Sequence, residues 1–262
     1  EALEELHLPP RLRRMGASCF HGCRALEEVA IPGSLRVLPE RAFRNCTDLE
    51  KVVLHKPETV SLLKIQYRMH EDIMRFPSRW FYHDELEAAP EVKYRGILDF
   101  DTPVSWIDTS ELDLQEKAVA EGTGRLNTGE AELLVRELKN YMERIGIRRI
   151  LEEHIDFGVI SPYRAQVHYL RHLLKKEPFF RPCRRLITVH TVDGFQGQER
   201  DVIMISLVRA NEKGQIGFLR DLRRMNVAIT RARMKLLILG EAVTLTRHPF
   251  YRELYEYIGG LR

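Results

Sequence analysis

The 262-residue chain lacks several features that would assign it to specialised classes of protein. Its longest aliphatic run, residues 202–208, is far too short to span a bilayer, and no charged-then-apolar signal segment opens the chain. None of the four cysteines forms a CxxC pair, and no His/Cys cluster has metal-ligand spacing. We therefore expect a cytoplasmic protein with reduced thiols, no metal centre of its own and no membrane contact.

The sequence also lacks a strong net charge. It carries 41 basic and 38 acidic side chains, so the formal net charge is only +3. Net charge alone gives no reason to expect a polyanion as partner, and only the placement of the arginines can do so. The hydrophobic content of 44% is ordinary for a globular protein with a core. The first residue is Glu1 rather than Met, from which we expect the numbering to start inside a longer polypeptide.

An internal repeat occupies the beginning of the chain. Residues 2–24 and 25–47 align with a period of 23, and the register continues through residues 48–54. In each copy, apolar residues at LxxLxL-type spacing share one face of a short strand, which a proline ends. Such a period predicts a solenoid in which each coil covers the next. The aligned positions include Leu6, Val29 and Val52 in the strands, Phe20 and Phe43 in a second layer, and Cys23 and Cys46 beside them.

The repeat segment resembles the bacterial BspA-type leucine-rich repeats over about residues 2–54. The resemblance implies a role as a spacer or as a surface that binds a protein partner. A structural cap without a ligand is the alternative, and the residues favour neither. We predict that Cys23 and Cys46 form a core ladder rather than a redox pair. We assign residues 1–55 to these repeats and residues 56–262 to a second domain.

In the second domain, short apolar runs alternate with amphipathic stretches. The runs are apolar along their whole length, which is typical of a parallel sheet with helices on both faces. Ligands of such sheets bind at the carboxyl ends of strands, so the residues that follow each strand are the candidates for a site. The predicted strands are 60–65, 104–108, 157–161, 186–189, 201–206 and 235–240, and the predicted helices are 128–145, 162–176 and 219–233.

Two stretches that follow strands are suited to a phosphate-containing ligand. Ser161 is a good N-cap and Pro162 a good first helical residue, so a helix amino terminus should lie at the ligand edge of the sheet. The stretch 190–201 is longer than a turn requires, and its glycines allow a ligand to approach the backbone. Directed hydrogen bonds are available there from Thr191, Gln196 and Glu199.

Two arginines also qualify as candidates. Arg231 lies among apolar residues of the predicted helix 219–233, so a solvated basic face explains it poorly. Arg233 is two positions further on and would point to nearly the opposite side of that helix, so at most one of the two faces a given cleft. Tyr67 and Arg68 follow the strand predicted at 60–65, where they can supply a stacking surface and a cation. A surface arginine beside a core tyrosine is the alternative for this pair.

Four segments occur together in a fixed order: QYRMHEDIMRFPSRWFY, ISPYRAQ, TVDGFQGQERDVIMIS and RRMNVAITRAR. Together they resemble the motifs of the second RecA-like domain of superfamily 1 helicases, in the branch that contains the nonsense-mediated-decay and Sen1-type enzymes. The resemblance covers about residues 56–262. It implies an α/β fold with a RecA-like, P-loop-NTPase-type parallel sheet and helices on both faces.

The resemblance also implies a role for individual residues. Arg231 would be the arginine finger that stabilises charge on the transferring phosphoryl group, Arg68 would reach the γ-phosphate, and Tyr67 would stack near the adenine. Further nucleotide contacts would come from Gln66, Gln196, Gly197 and Glu199. Contacts with the sugar–phosphate backbone of single-stranded DNA or RNA would come from Ser161, Pro162, Tyr163 and Thr191.

The helicase mechanism also needs a first RecA-like domain that carries a GxxxxGK[ST] phosphate loop and a DE-type magnesium site. Neither motif occurs in this sequence. We therefore expect ATP with Mg²⁺ to bind only together with such a domain, and we expect this chain alone not to hydrolyse ATP. Two alternatives remain open. In one, the repeats recruit a protein and the helicase-like domain is non-catalytic; in the other, the chain is an artificial or recombined fusion.

Overall fold

The computed structural model describes residues 4–39, 41–54, 64–119 and 124–261. The chain divides into two compact units, Glu1–Leu63 and Lys64–Arg262. The domain boundary predicted near residue 55 lies outside the described residues, and so does most of the strand predicted at 60–65.

The first unit contains three short parallel strands, β1 (Glu5–His7), β2 (Glu28–Ile31) and β3 (Lys51–Leu54). Leu6 pairs with Val29, and Val29 pairs with Val52, so neighbouring strands are offset by the predicted 23 residues. This register confirms the repeat that was inferred from the sequence.

The second layer of the repeat unit is also in register. The rings of Phe20 and Phe43 stack with their centroids 5.5 Å apart and an interplanar angle of 7°. Cys23 and Cys46 are free thiols that are both partly buried, and Cys46 Sγ contacts the carbonyl oxygen of Phe20 at 3.1 Å. Burial raises the pKa of the Cys46 thiol. Cys23 and Cys46 are thus partly buried at equivalent positions of two repeats, and the core ladder stays a prediction.

The second unit is built on a five-stranded parallel sheet. Its strands are β6 (Val104–Asp108), β9 (Phe157–Ser161), β10 (Ile187–Thr191), β11 (Arg200–Ser206) and β12 (Ala232–Gly240), in the spatial order β10-β9-β11-β12-β6. Two small sheets accompany it. The strands β4 (Ile65–Gln66) and β5 (Glu87–Ala88) form a parallel pair, and β7 (Lys117–Ala118) and β8 (Arg125–Leu126) form an antiparallel pair.

Helices cover both faces of the five-stranded sheet, as the uniformly apolar strands predict. Along β11, Ile203 and Ile205 belong to one hydrophobic cluster, and Val202 and Met204 belong to the other. Residues of the helices α1 (Glu71–Phe81), α6 (Leu222–Ile229) and α8 (Pro249–Gly259) pack into the first cluster. Residues of α3 (Thr128–Ile145), α4 (Ile147–Glu152) and α5 (Arg164–Lys176) pack into the second. Further helices are α2 (Pro90–Lys93) and α7 (Ala242–Leu245).

Helix α3 has the predicted bounds, residues 128–145, because residues that start and stop helices lie at both of its ends. At the start, Asn127 Oδ1 accepts a hydrogen bond from the backbone N–H of Glu130 (3.0 Å), which caps the first turn. At the other end, Gly146 adopts φ +88° and donates its N–H to the carbonyl of Met142. No helix among the described residues is long and apolar enough to cross a membrane.

Two predicted helices have wrong bounds. Helix α5 begins at Arg164, and Ser161 belongs to β9, so Ser161 is not the N-cap and Pro162 is not the first helical residue. Helix α6 ends at Ile229, well before the predicted residue 233. The reason is sheet pairing, because the carbonyl of Arg231 accepts a hydrogen bond from Arg200 N–H and β12 begins at the next residue.

Candidate functional site

Three segments that are far apart in the sequence meet near the first residues of β11 and β12. Arg68, in the turn after β4, forms an ion pair through its Nε with the carboxylate of Glu199. Its Nη1 also donates to the carbonyl oxygen of Thr230, at 3.1 Å. Arg231 follows directly, and burial together with the nearby charge of Arg68 lowers the pKa of Arg231. The predicted site residues Arg68, Glu199 and Arg231 therefore lie together.

The guanidinium of Arg231 is held by uncharged oxygen atoms. Its Nε donates to the carbonyl of Val227 at 3.0 Å, and its Nη1 donates to the carbonyl of Gln198 at 3.2 Å. Its Nη2 lies 3.4 Å from the hydroxyl of Thr230. Within the described ranges Arg231 forms no ion pair with a carboxylate. The side chain is thus fixed in position while its positive charge is not neutralised by direct contact.

The turn that carries Tyr67 and Arg68 is closed by the side chain of Gln66. Its Oε1 accepts from the backbone N–H groups of Arg68 (2.8 Å) and Met69 (2.7 Å), and its Nε2 donates to the Met69 carbonyl (2.8 Å). Gln66 therefore shapes the turn, while Tyr67 projects from it with 67% of its surface exposed. The guanidinium of Arg95 donates to the Arg68 carbonyl and supports the same turn.

The loop between β10 and β11 is anchored by Phe195, a residue that the sequence reasoning did not select. Its side chain is fully buried in the sheet cluster. A Cβ added at Gly158 of β9 would lie 2.8 Å from Phe195 Cζ, so this ring packs directly on the strand backbone. The signal in the sequence was one aromatic residue within an otherwise polar loop. Beyond this anchor, Gln196 and Gly197 are exposed, and Gly197 has φ +81°.

Arg233 lies among three acidic side chains, one of which is Glu199. Its Nη2 lies 3.3 Å from both carboxylate oxygens of Asp156, and its Nε lies 3.4 Å from Asp201 Oδ1 and 3.9 Å from Glu199 Oε1. Burial raises the pKa of Asp201. The expectation that Arg231 and Arg233 point to opposite sides of a helix is wrong, because Arg233 lies in β12.

The residues predicted to contact nucleic acid lie at the other end of the sheet. Ser161 and Thr191 are the last residues of β9 and β10, whereas Glu199 and Arg231 precede β11 and β12. The two predicted groups therefore lie at opposite ends of the parallel strands, and the expectation of one ligand edge is wrong. The segment from Thr191 to Glu199 connects the two ends.

The four predicted nucleic-acid contacts differ in accessibility. Ser161 is fully buried and Tyr163 is only 2% exposed, so their side chains are inaccessible to a strand in this conformation. Pro162 and Thr191 are half-buried and line the same small cavity, together with Phe218. The structure thus brings Pro162 and Thr191 together at the surface and places Ser161 and Tyr163 behind them.

The five-stranded parallel sheet with helices on both faces defines the class as RecA-like α/β domains. Sequence comparison agrees with this class. The chain belongs to the AAA domain family, whose model matches residues 44–243, and residues 1–73 match the BspA type leucine rich repeat region. The second unit is the C-terminal RecA-like domain found in superfamily 1 helicases of the Sen1 and nonsense-decay branch.

Individual relatives support this assignment. Probable helicase MAGATAMA 3 of Arabidopsis thaliana is 38% identical over 202 residues, which are 75% of this chain and 24% of that protein. Helicase sen1 of Schizosaccharomyces pombe is 38% identical over 201 residues, 75% of this chain and 12% of that protein. A regulator of nonsense transcripts 1 homolog of Neurospora crassa is 35% identical over 201 residues, 73% of this chain and 18% of that protein. The chain therefore spans a quarter or less of these relatives.

Proposed function

We propose that the second unit is the C-terminal half of an ATP-dependent helicase motor that moves along single-stranded nucleic acid. In this proposal Arg231 is the arginine finger and Arg68 contacts the γ-phosphate. Two observations support the proposal. The relatives are named as helicases. The guanidinium groups of Arg68 and Arg231 lie together beside the amino-terminal ends of β11 and β12.

The observation that carries the proposal is the guanidinium of Arg231. It is oriented by the carbonyls of Val227 and Gln198, and its charge is not paired with a carboxylate in the described part of the chain. A second guanidinium, that of Arg68, lies close enough to lower its pKa. Two neighbouring cations with a single carboxylate, Glu199, between them favour the binding of a multiply charged anion. The phosphates of ATP are such an anion.

Each neighbouring residue has a defined part in this proposal. Arg68 exchanges its carboxylate partner Glu199 for a phosphate oxygen, because a guanidinium group forms bidentate, charge-assisted hydrogen bonds with phosphate as it does with carboxylate. Tyr67 offers its exposed ring to the adenine. Gln196 and Gly197 contact or sense the nucleotide from the exposed part of the loop. The hydrogen bonds of Gln66 keep the turn in shape for both Tyr67 and Arg68.

Magnesium and the phosphate loop belong to the first RecA-like domain in this proposal. The described residues contain no group of three His, Cys, Asp or Glu side chains that could hold a metal ion. The donor set of Arg68 and Arg231 fits the phosphates of ATP but not a cation. ATP with Mg²⁺ would therefore bind between this chain and the first domain, with the triphosphate stabilised here by positive charge.

The other end of the sheet would contact the sugar–phosphate backbone through Pro162 and Thr191. Contacts with the backbone carry no sequence information, which suits a motor that moves along any sequence. Because Ser161 and Tyr163 are buried, we assign them to the support of this surface rather than to direct contact. Binding should weaken steeply as the salt concentration rises, because bound counterions are released from the nucleic acid.

The test is reconstitution. The full chain is mixed with a separately purified first RecA-like domain of a Sen1-type helicase, and ATP hydrolysis is measured with and without single-stranded DNA and RNA. We expect no turnover from the chain alone and nucleic-acid-stimulated turnover from the mixture. Arg231→Ala should reduce the turnover by about a thousandfold or more, since an arginine finger is worth that much.

Arg223→Ala is the matched control, because Arg223 is exposed on α6 and, in the described part of the chain, no hydrogen bond or ion pair joins it to Arg68 or Glu199. Turnover that survives Arg231→Ala would overturn the assignment of the finger, and turnover from the chain alone would overturn its dependence on a first RecA-like domain. If the mixture stays inactive while the leucine-rich repeats capture a protein partner, the alternative function as a binding module with a non-catalytic helicase-like domain is supported instead.

A further inference from the structure

A second, larger cavity lies beside the predicted nucleic-acid surface. Its volume is about 610 Å³, which is within the range of about 300–1,000 Å³ that is typical of ligand sites. It lies beyond the carboxyl end of β11, where the chain continues through Arg209. Three arginines, Arg125, Arg209 and Arg220, contribute to its lining, together with Tyr163 and Phe218.

The charge at this cavity is not balanced. Arg209 is only 5% exposed, its Nε lies 2.7 Å from the carboxylate of Glu116, and its Nη1 donates to the Tyr163 hydroxyl at 3.3 Å. Glu116 also pairs with Arg125 at 3.5 Å. Arg220 is exposed and forms no ion pair within the described ranges. Among the described residues, Glu116 is the one carboxylate that pairs with these arginines, so positive charge is in excess and favours an anionic ligand.

An exposed aromatic ring divides this cavity from the neighbouring one. Phe218 is 46% exposed and lines both the arginine cavity and the small cavity that contains Pro162 and Thr191. Its ring lies edge-on to Tyr163, with centroids 5.7 Å apart. A ligand that extends from Thr191 to the arginines would therefore pass over this ring.

The backbone around Phe218 holds the ring at the surface. The residues on either side of the Gly217–Phe218 pair, Ile216 and Leu219, are both buried. Gly217 has φ +55°, and a Cβ at this position would lie 2.5 Å from Arg209 Nη1, so the position favours glycine. Two buried neighbours and a constrained glycine thus present the aromatic ring to solvent next to fixed positive charge.

We propose that Phe218 stacks on a base of bound single-stranded nucleic acid while Arg125 and Arg220 hold the adjacent phosphates and Arg209 supplies a fixed positive charge behind them. The inference rests on the proposed function, which provides the single strand, and assigns a base-stacking subsite to it. A positively charged groove combined with an aromatic platform is how proteins bind single strands without base readout.

The experiment measures the anisotropy of a fluorescein-labelled oligothymidylate titrated with the full chain, alone and with the first RecA-like domain, over a series of salt concentrations. Phe218→Ala should weaken binding by roughly 5-fold to 150-fold, which corresponds to the loss of one stacked base, and should leave the salt dependence unchanged. Arg220→Ala should weaken binding and reduce the slope of log affinity against log salt by about one.

Two further variants make the test specific. Phe218→Trp should keep the affinity, and its fluorescence should be quenched by the oligonucleotide, which a purely structural role of the residue does not explain. Val243→Ala removes a comparably exposed apolar side chain on α7 and should have no effect.

The outcomes separate the inference from the proposed function. If the wild-type protein binds the oligonucleotide but Phe218→Ala binds equally well, the stacking subsite is wrong and the helicase proposal stands. If the wild-type protein binds the oligonucleotide neither alone nor with the first RecA-like domain, both the stacking subsite and the helicase proposal are wrong. If polyglutamate competes as well as the oligonucleotide, the cavity is a general site for acidic polymers and the assignment to nucleic acid is overturned.

Discussion

The guanidinium of Arg68 forms an ion pair with the carboxylate of Glu199, a residue 131 positions later in the chain. This contact joins the turn after β4 to the loop that leads into β11. It also means that the cation proposed to contact phosphate already has an anionic partner before any nucleotide is bound.

We predict that Glu199→Gln has little effect on stability. Both side chains are more than a third exposed, so solvent screens the pair and its contribution is below about 1 kcal/mol. The midpoint of urea denaturation should therefore shift slightly at low salt and still less at high salt. A loss larger than about 2 kcal/mol would show that the pair is structurally essential, contrary to this prediction.

Gly158→Ala should destabilise the second unit. The added Cβ would lie 2.5 Å from Ile203 Cδ1 and 2.8 Å from Phe195 Cζ, in the middle of the sheet cluster. Overpacking of this kind costs about 1–3 kcal/mol, and it should also displace the loop that Phe195 anchors. Chemical denaturation measures the first effect, and the reconstituted ATPase assay measures the second.

Gly259→Ala is the control for this substitution. Gly259 is the last residue of α8 and has no atom within 4 Å of an added Cβ, so alanine should be neutral or stabilise the protein by up to about 1 kcal/mol. Equal effects of the two substitutions would contradict the packing assigned to Phe195.

Glu130 should make stability depend on pH. It is fully buried, and burial raises the pKa of its carboxyl group from 4.5 to about 7, although Ser206 and the Val208 N–H donate hydrogen bonds to its Oε1. The folded state therefore binds a proton more tightly than the unfolded state does. The resulting stabilisation is fully present below pH 4.5 and is lost as the pH rises through about 7. Its size is about 3 kcal/mol.

Glu130→Gln removes this titration. As the pH rises from 4.5 to 7, the free energy of unfolding of the wild type should therefore fall relative to that of the variant. Glu143→Gln, at an exposed position of the same helix, should show no such change. A constant wild-type-to-variant difference across this pH range would refute the prediction.

The four thiols should react at very different rates. Cys19 is exposed, whereas Cys183 is fully buried and burial raises the pKa of its thiol, so little thiolate is available there. Titration with an aromatic disulfide reagent should modify Cys19 first and Cys183 only when the protein unfolds. Cys19→Ser should abolish the fastest phase. A disulfide between Cys23 and Cys46 in protein purified without reductant would contradict their assignment to a core ladder.

The sheet was predictable because its strands are buried on both faces. Runs such as residues 157–160 and 202–205 are apolar throughout, and this pattern depends on no distant partner. The repeat was predictable for a similar reason, because Val29 meets its equivalents in the neighbouring coils at a fixed sequence distance. Local patterns were sufficient in both cases.

The parts that were not predictable depend on contacts between distant residues. The bond from Arg200 N–H to the Arg231 carbonyl ends α6 early and places the Arg231 side chain against Gln198, and no local signal indicates it. The sequence motifs selected Arg68, Glu199 and Arg231, which the structure places close together. They did not show that these residues lie at the opposite end of the strands from Thr191.

The segment from Thr191 to Gln198 begins at one end of the sheet and finishes at the other, where Gln198 accepts a hydrogen bond from Arg231. Phe195 fixes its middle part in the core. If a ligand at the Thr191 end shifts this segment, the guanidinium of Arg231 is displaced with it. If this displacement changes the affinity of Arg231 for an anion by some factor, thermodynamic reciprocity requires that an anion bound at Arg231 changes the ligand affinity at the Thr191 end by that same factor.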